Sequence, residues 1–315
     1  GFAYTINTAG AVLGSFCAGF VLIPLLGKEK SLSIVIALQL LASLITTGII
    51  MSKQKNPLKW LLPAAPALAG LVLCFYFPRW DHRTFSEGKY HRFDQIGLDI
   101  KTVGWLKSFF EGPKILSNYK KGELVYYGDG IGGFTTVAKF VSPLGNIDYS
   151  MMNSGKSDAS TRGDMITQTL LAHFPMLFHH NPKTVMVLGL ASGITAGEVL
   201  NYPVERLDVI EISPQVVEAS KFFVPWNNNV LANPKTNLII QDGRAHLQLT
   251  SRKYDVIISE PSNPWMVGLA ALFTSDFFEL AKNRLNEDGM FVQWFHSYQL
   301  DWQTFALVGR TFAQV

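Results

Sequence analysis

Charge is scarce in this sequence. Aspartate, glutamate, lysine and arginine make up 16% of the 315 residues, against roughly 25% in soluble globular proteins. The deficit is local: up to Pro78 the charged side chains are Lys28, Glu29, Lys30, Lys53, Lys55 and Lys59. The net charge of +3 therefore comes from short segments beside apolar runs, which argues against a basic nucleic-acid-binding face. With 48% apolar residues the chain is no disordered segment either. Cysteine is nearly absent. Cys17 and Cys74 both sit in apolar runs, which excludes a disulfide-stapled module and a cysteine metal pair. No basic n-region precedes the first apolar run, so a signal peptide does not fit. The turn Gly189–Gly193 is not the dinucleotide GxGxxG, having no second glycine for a pyrophosphate, and there is no Walker lysine, which argues against NAD and ATP. The length suits about two domains of roughly 100–200 residues. Because the chain opens at Gly1 inside an apolar run, it is read as a piece of something longer.

Three windows are long and apolar: Phe2–Leu26, Ser31–Met51 and Trp60–Phe77. A spanning helix needs roughly 17–25 such residues, and backbone in hydrocarbon must satisfy its own polar groups. Residues 1–78 are accordingly expected to form about three transmembrane helices in a lipid bilayer. The third window is the weakest, holding Pro63 and Pro66, although Trp60 and Trp80 suit the interfaces. Gly10 and Gly14 make a GxxxG step. With three spans, the Gly27–Lys30 loop and everything after Phe77 share one side, and the lysine and arginine count leans that side slightly cytoplasmic.

Residues 79–122 read as a juxtamembrane connector. Within 123–160, short β-rich runs (Leu124–Tyr127, Phe134–Phe140, Ile147–Met152) separated by glycine-containing turns predict a small antiparallel β domain. Residues 161–315 alternate. A helix at Met165–Phe178 is followed by strands at Thr184–Leu188, Leu207–Ile210, Leu238–Ile240, Val256–Ile258 and Met290–Gln293, with helices at Thr195–Leu200, Gln215–Phe223 and Ser275–Leu285. Such alternation predicts right-handed βαβ units and a doubly wound, Rossmann-like parallel sheet, cut short at its C-terminal end. The fold class is thus a membrane α-helical segment followed by α/β.

Ligands of these sheets sit beyond the carboxyl ends of the strands. There the sequence places Gly189-Leu-Ala-Ser192-Gly193 after the first strand, a turn that lets a ligand approach backbone. Glu211 ends the second strand, 22 residues beyond Gly189, where a carboxylate can accept ribose hydroxyls. Asp242-Gly243 follows the third strand and could meet an adenine amino group, and Glu260-Pro-Ser-Asn263-Pro-Trp265 follows the fourth. Each has a plain reading as a cap or turn former; the four in order point to an adenosine-type pocket. The histidines lack metal-ligand spacing, since His173 lies six or seven residues before His179-His180, so no metal is expected. His296 and Tyr298 could line an acceptor side.

Taken together, Asn153–Ser160, Ile166–Pro175, Val209-Ile-Glu211-Ile, Asp242-Gly-Arg244, Tyr254–Trp265 and Leu272-Phe-Thr274 resemble spermidine synthase and related polyamine aminopropyltransferases, of the class I methyltransferase-like fold. The likeness runs from about Glu123 to Val315, and the apolar helices ahead of it resemble the bacterial membrane-fused subfamily. That resemblance implies a multi-pass protein of the bacterial inner (cytoplasmic) membrane with its large domain on the cytoplasmic side. It implies transfer of an aminopropyl group from decarboxylated S-adenosylmethionine, a co-substrate and not a tightly bound cofactor, to an amine such as putrescine. Glu260 then matches the catalytic aspartate, Glu211 the ribose-binding acid, Asp242 the adenine contact and Gln168 a donor-site glutamine. On the substrate side stand Asp158, Asn263, Trp265 and Tyr298. Ser192 replaces the family's donor-binding aspartate, Asn263 its second acid, and Thr167 a tyrosine; the first two leave open a methyltransferase using ordinary S-adenosylmethionine, or a non-catalytic nucleoside-binding subunit of a membrane complex. A homo-oligomer or membrane-complex partner is compatible with either reading.

Overall fold

The computed structural model describes residues 1–52, 65–72, 80–86, 88, 100–111, 122–130, 132–266, 268–298 and 300–315. The chain divides into two compact units, Gly1–Phe85 with Gly128–Phe134, and Ser86–Tyr127 with Thr135–Val315.

In the first unit, helix α1 (Phe2–Cys17) runs through a π-helical turn, Ala18–Leu22, into α2 (Ile23–Met51). The stretch Phe2–Ile49 is long and apolar enough to cross a membrane, with a mean hydropathy of 2.1 in its most apolar window and none of that window buried. As one straight rod its 48 residues would reach about 72 Å at 1.5 Å per residue, over twice the ~30 Å hydrocarbon core. It is not one rod. Gly27 breaks the helical path at φ 78°, ψ 168°, a conformation open to glycine because it has no Cβ. The corner is held by polar contacts. Lys28 N donates to Asp129 Oδ2 at 3.0 Å, Lys28 Nζ to the Gly133 carbonyl at 2.7 Å, and the Trp80 amide to Glu29 Oε1 at 3.2 Å. Of the third apolar window only the helical stretch 65–72 (α3) lies within the described residues. It packs closely on α2, since a Cβ at Gly70 would come within 3.0 Å of Leu40 Cδ1. Pro63, Trp60 and Cys74 fall outside. Most of the connector does too, leaving α4 (His82–Ser86) and α5 (Trp105–Glu111).

The small sheet has four strands in the order β1-β2-β3-β4: Glu123–Gly130, Gly133–Val141, Ile147–Asn153 and Lys156–Ser160. Pairs β2–β3 and β3–β4 are antiparallel. The last strand is absent from the sequence reading and follows from turn chemistry. Ser154 (φ 47°) and Gly155 (φ 76°) are both left-handed, and Asn153 pairs with Lys156 across them, as in the two-residue hairpins whose twist matches the flanking strands.

The second sheet is parallel, in the order β7-β6-β5-β8-β9, from β5 (Thr184–Leu188), β6 (Arg206–Glu211), β7 (Thr236–Ile240), β8 (Tyr254–Ser259) and β9 (Leu285–Gln293). Helices α6 (Met165–Phe178), α7 (Ile194–Val199), α8 (Pro214–Ser220), α9 (Gly243–Leu249), α10 (Ser275–Lys282) and α11 (Trp302–Ala313) accompany it. Val185, Met186, Val187, Val256, Ile257 and Ile258 have no exposed surface, as expected of strands covered on both faces. Two hydrophobic clusters form, one including Val187, Val209 and Phe223, the other Met186, Ile257 and Phe277. Helices α9 and α11 are not among the helices expected from sequence: α9 is seven residues of mixed polarity, whereas α11 has twelve residues and an amphipathic pattern. Strand β9 begins earlier than read from sequence, but its register slips between Leu285 and Met290, so regular pairing starts at Met290.

Candidate functional site

Strand β5 stops at Leu188, and the chain turns at Gly189 (φ 96°). A Cβ at Gly189 would lie 2.6 Å from the Glu260 carbonyl oxygen, closer than any real Cβ contact. Glycine is therefore what allows the loops leaving β5 and β8 to touch. The turn ends at Gly193 (φ 79°), ahead of α7.

Glu211, the last residue of β6, reaches back under this turn. Its Oε2 accepts the Leu190 amide at 3.0 Å and its Oε1 the Ser213 amide at 2.8 Å, with the residue 7% exposed. Burial pushes its carboxyl above the usual range and these amides pull it back. Each oxygen retains acceptor capacity for a hydroxyl.

Glu260 is the first residue after β8, and its amide donates to the Leu188 carbonyl at 2.8 Å. Enclosure of the carboxyl raises its pKa to about 8; a Thr195 hydrogen bond lowers it, and the charges of Asp158 and Asp164 raise it further. Asp158 also acts on Glu211, so the three carboxyls lie in one electrostatic neighbourhood. Gln168 and Ser192 are 2% and 1% exposed and are bonded to each other, Ser192 Oγ to Gln168 Oε1, while Gln168 Nε2 donates to the Ser160 carbonyl at 3.0 Å.

Asp242 follows β7 and is exposed, and its Oδ1 caps α9 by accepting the Ala245 amide at 2.8 Å, the cap geometry preferred for aspartate. Gly243 lets α9 press on β5, for a Cβ there would fall 2.6 Å from Leu188 Cδ1.

Asp158 does not present a bare charge. Its Oδ1 takes Lys156 Nζ at 2.7 Å and Ser262 Oγ at 2.6 Å, and its Oδ2 takes Asn153 Nδ2 at 2.7 Å. Beside it, Asn263 is 0% exposed with neither amide atom hydrogen-bonded. Trp265 meets His296 edge-on at 4.6 Å between ring centres, and Tyr298 stacks on it at 4.4 Å. His296 Nδ1 lies 2.9 Å from the Tyr298 carbonyl, which can only accept. The proton is therefore on Nδ1, and Nε2, which has no partner, is a bare acceptor. Burial lowers the pKa of His296, the bond to the Tyr298 carbonyl opposes that, and the charge of Lys156 lowers it further.

At the amino ends of the strands, His179, Asp255 and Asp288 bring ligand-type atoms within 4.8 Å of one another. Asp255 Oδ2 already accepts the Lys183 and Thr184 amides, both at 2.8 Å, and the Thr184 hydroxyl at 3.0 Å. It works as a brace joining β8 to the start of β5.

Residues 164–315 match the spermine/spermidine synthase domain. The matched stretch is just under half of the chain. Over 144 residues the chain is 39% identical to a polyamine aminopropyltransferase of Methanocaldococcus jannaschii, covering 44% of this chain and 48% of that protein. It is 32% identical over 141 residues to the thermospermine synthase ACAULIS5 of Arabidopsis thaliana, covering 44% and 42%. The chain thus spans about half the length of the curated relatives it matches. Among solved structures it resembles a spermidine synthase in complex with the transition-state analogue AdoDATO, with a TM-score of 0.56 and 26% identity over 62% of this chain and 66% of that one. A spermidine synthase from Thermotoga maritima gives 0.54 and 27%, over 62% and 65%.

Within the matched stretch and the strand β4 beside it, the sequence reading overlooked Lys156, Ser262, Thr195 and Trp294. Lys156 and Ser262 carry no motif of their own; they meet across 106 positions of chain because β4 and the loop after β8 end at the same edge. Chemically the arrangement offers two carboxyls of raised proton affinity around a glycine turn, Glu211 buried and engaged by backbone amides and Glu260 partly buried.

Proposed function

We propose that this chain is a membrane-anchored aminopropyltransferase, moving an aminopropyl group from decarboxylated S-adenosylmethionine to an amine. One observation carries the reading: Glu211 and Glu260, leaving the strands that flank β5, meet at the Gly189–Gly193 turn between them. In this scheme Glu211 accepts the ribose hydroxyls, Asp242 stands near the adenine, and Gln168 with Ser192 forms the wall of the donor site. The amine nitrogen bonds to the carbon next to the sulfonium, the carbon–sulfur bond breaks, and methylthioadenosine leaves neutral, without an acid. The amine's proton passes to Glu260. An amine with a pKa near 10 is mostly protonated at pH 7, and a carboxyl raised to about 8 is better matched to take that proton than one near 4. Alignment of nitrogen, carbon and sulfur supplies the rest.

Purified chain incubated with decarboxylated or ordinary S-adenosylmethionine and an amine, with products identified by mass, tests this. Methylthioadenosine is the expected product, and Glu260→Gln abolishes it while nucleoside binding persists; equal loss of binding and turnover counts against the base. A second reading draws on the Gly189–Gly193 turn, which carries no carboxylate to hold the donor's ammonium or repel the carboxylate of ordinary S-adenosylmethionine. It expects adenosylhomocysteine instead.

For the membrane part we read residues 1–78 as a multi-pass region of a bacterial inner membrane, with 79–122 as connector and the 123–160 and 161–315 domains on the cytoplasmic side. The Gly27 break supports two spans within Phe2–Ile49. Cysteine labelling from each side of intact cells, at positions next to Gly27 and near Ser52, tests that topology.

A further inference from the structure

Recognition of an ammonium group takes a carboxylate, a further hydrogen-bond acceptor and an aromatic face. All three are present where β4 meets the residues that follow β8 and β9, and all three are already occupied from within the chain. Lys156 Nζ sits 2.7 Å from Asp158 Oδ1, 3.1 Å from Ser262 Oγ and 5.8 Å from the centre of the Trp294 ring. The ion pair is enclosed, its side chains 14% and 9% exposed. We propose that Lys156 is a built-in ammonium filling this subsite, so that the acceptor is a primary amine whose far end carries no second ammonium.

This inference rests on the aminopropyl-transfer reading and deepens it. The groups left without partners nearby are neutral: both amide atoms of Asn263, Nε2 of His296, Oε1 of Gln293 and Oγ of Ser259. They can hold an amine nitrogen, a hydroxyl or a carboxylate oxygen through hydrogen bonds, but they offer no charge to a second cation. Asp158 offers no net charge either, its carboxylate closed in an ion pair with Lys156 and bonded to Asn153 and Ser262 as well. Displacing Lys156 would leave a buried cation without its partner, which is costly. A diamine entering the subsite would therefore meet a like charge, and discrimination against it arises from repulsion as much as from fit.

The test uses the full chain in detergent with decarboxylated S-adenosylmethionine and three acceptors of equal carbon count: n-butylamine, 4-aminobutyrate and putrescine. The expected kcat/KM for the better of the first two exceeds that for putrescine by at least about tenfold. Lys156→Met, which frees Asp158, reverses the order, and Lys156→Arg, which keeps the charge, does not. The same rank order is read without turnover, by calorimetric titration of the three amines into chain saturated with methylthioadenosine. If no acceptor turns over but the binding order is as stated, the transfer reading fails and the role of Lys156 stands. Preference of the wild-type chain for putrescine in either measurement, or binding of no amine at all, overturns it.

Discussion

Replacing Glu260 by glutamine makes the carboxyl's raised proton affinity measurable. A carboxyl with a folded pKa of about 8 and an unfolded value near 4.3 binds more protons folded than unfolded between those limits. Its stabilising contribution is complete below the unfolded value and is lost as pH rises through the folded one. The shift corresponds to a ceiling of about 5 kcal/mol at 1.36 kcal/mol per unit. Because Glu260 is only partly buried, water screens part of this, and about 2–3 kcal/mol is expected. Glutamine cannot ionise. Thermal unfolding of wild-type and Glu260→Gln chains should therefore agree at pH 4, diverge steadily from about pH 4.3 upward and reach the full difference near pH 8. By pH 9 the variant should be the more stable by roughly 5–10 °C, at about 2–4 °C per kcal/mol for a unit of this size. In the active chain, kcat/KM should rise with pH through about 8, since that profile reports the free enzyme. A stability difference that is flat with pH, or that favours the wild type at pH 9, refutes the raised pKa.

Two further outcomes follow from packing. Gly189→Ala forces a Cβ to within 2.6 Å of the Glu260 carbonyl at φ 96°; a loss of about 3 kcal/mol in unfolding free energy and of measurable nucleoside binding is expected, the first by denaturant titration and the second by calorimetry. Asp208, 1% exposed, accepts the Tyr254 hydroxyl at 2.9 Å, Arg206 Nε at 2.8 Å and Asn237 Nδ2 at 3.2 Å. Asp208→Ala should cost about 2–4 kcal/mol, mostly from the stranded tyrosine hydroxyl, because the arginines reach solvent and add little. It should also lower the Tyr254 phenol pKa, which burial and then Asp208 hold well above 10; ultraviolet titration reads this directly.

Much of the parallel sheet was legible in the chain itself. Strands such as Thr184–Leu188 and Tyr254–Ser259 are continuous apolar runs, and a run of that length bounded by turn residues has few alternatives to a buried strand. The glycine turn and the acids Glu211 and Glu260 were legible for a related reason, since parallel strands deliver the residue after each carboxyl end to one edge. Strand β4 and helix α9 were not, because their residues alternate or mix polarity over too few positions for a period to register. The apolar windows were visible, yet the corner at Gly27 was not: a glycine in a helical run reads as a mere weak point until φ is known.

Local order thus decided which carboxylates could share a crevice, for strand direction and hydrophobic period are written in consecutive residues. What each polar group does there was settled only by folding. Asp158, expected on the substrate side, is held by Lys156, Asn153 and Ser262. Asp242, expected to meet an adenine, also caps a helix with its carboxylate. The reason is that hydrogen bonds act within about 3 Å, and which groups come that close depends on the meeting of segments as far apart in the chain as β4 and the loop after β8.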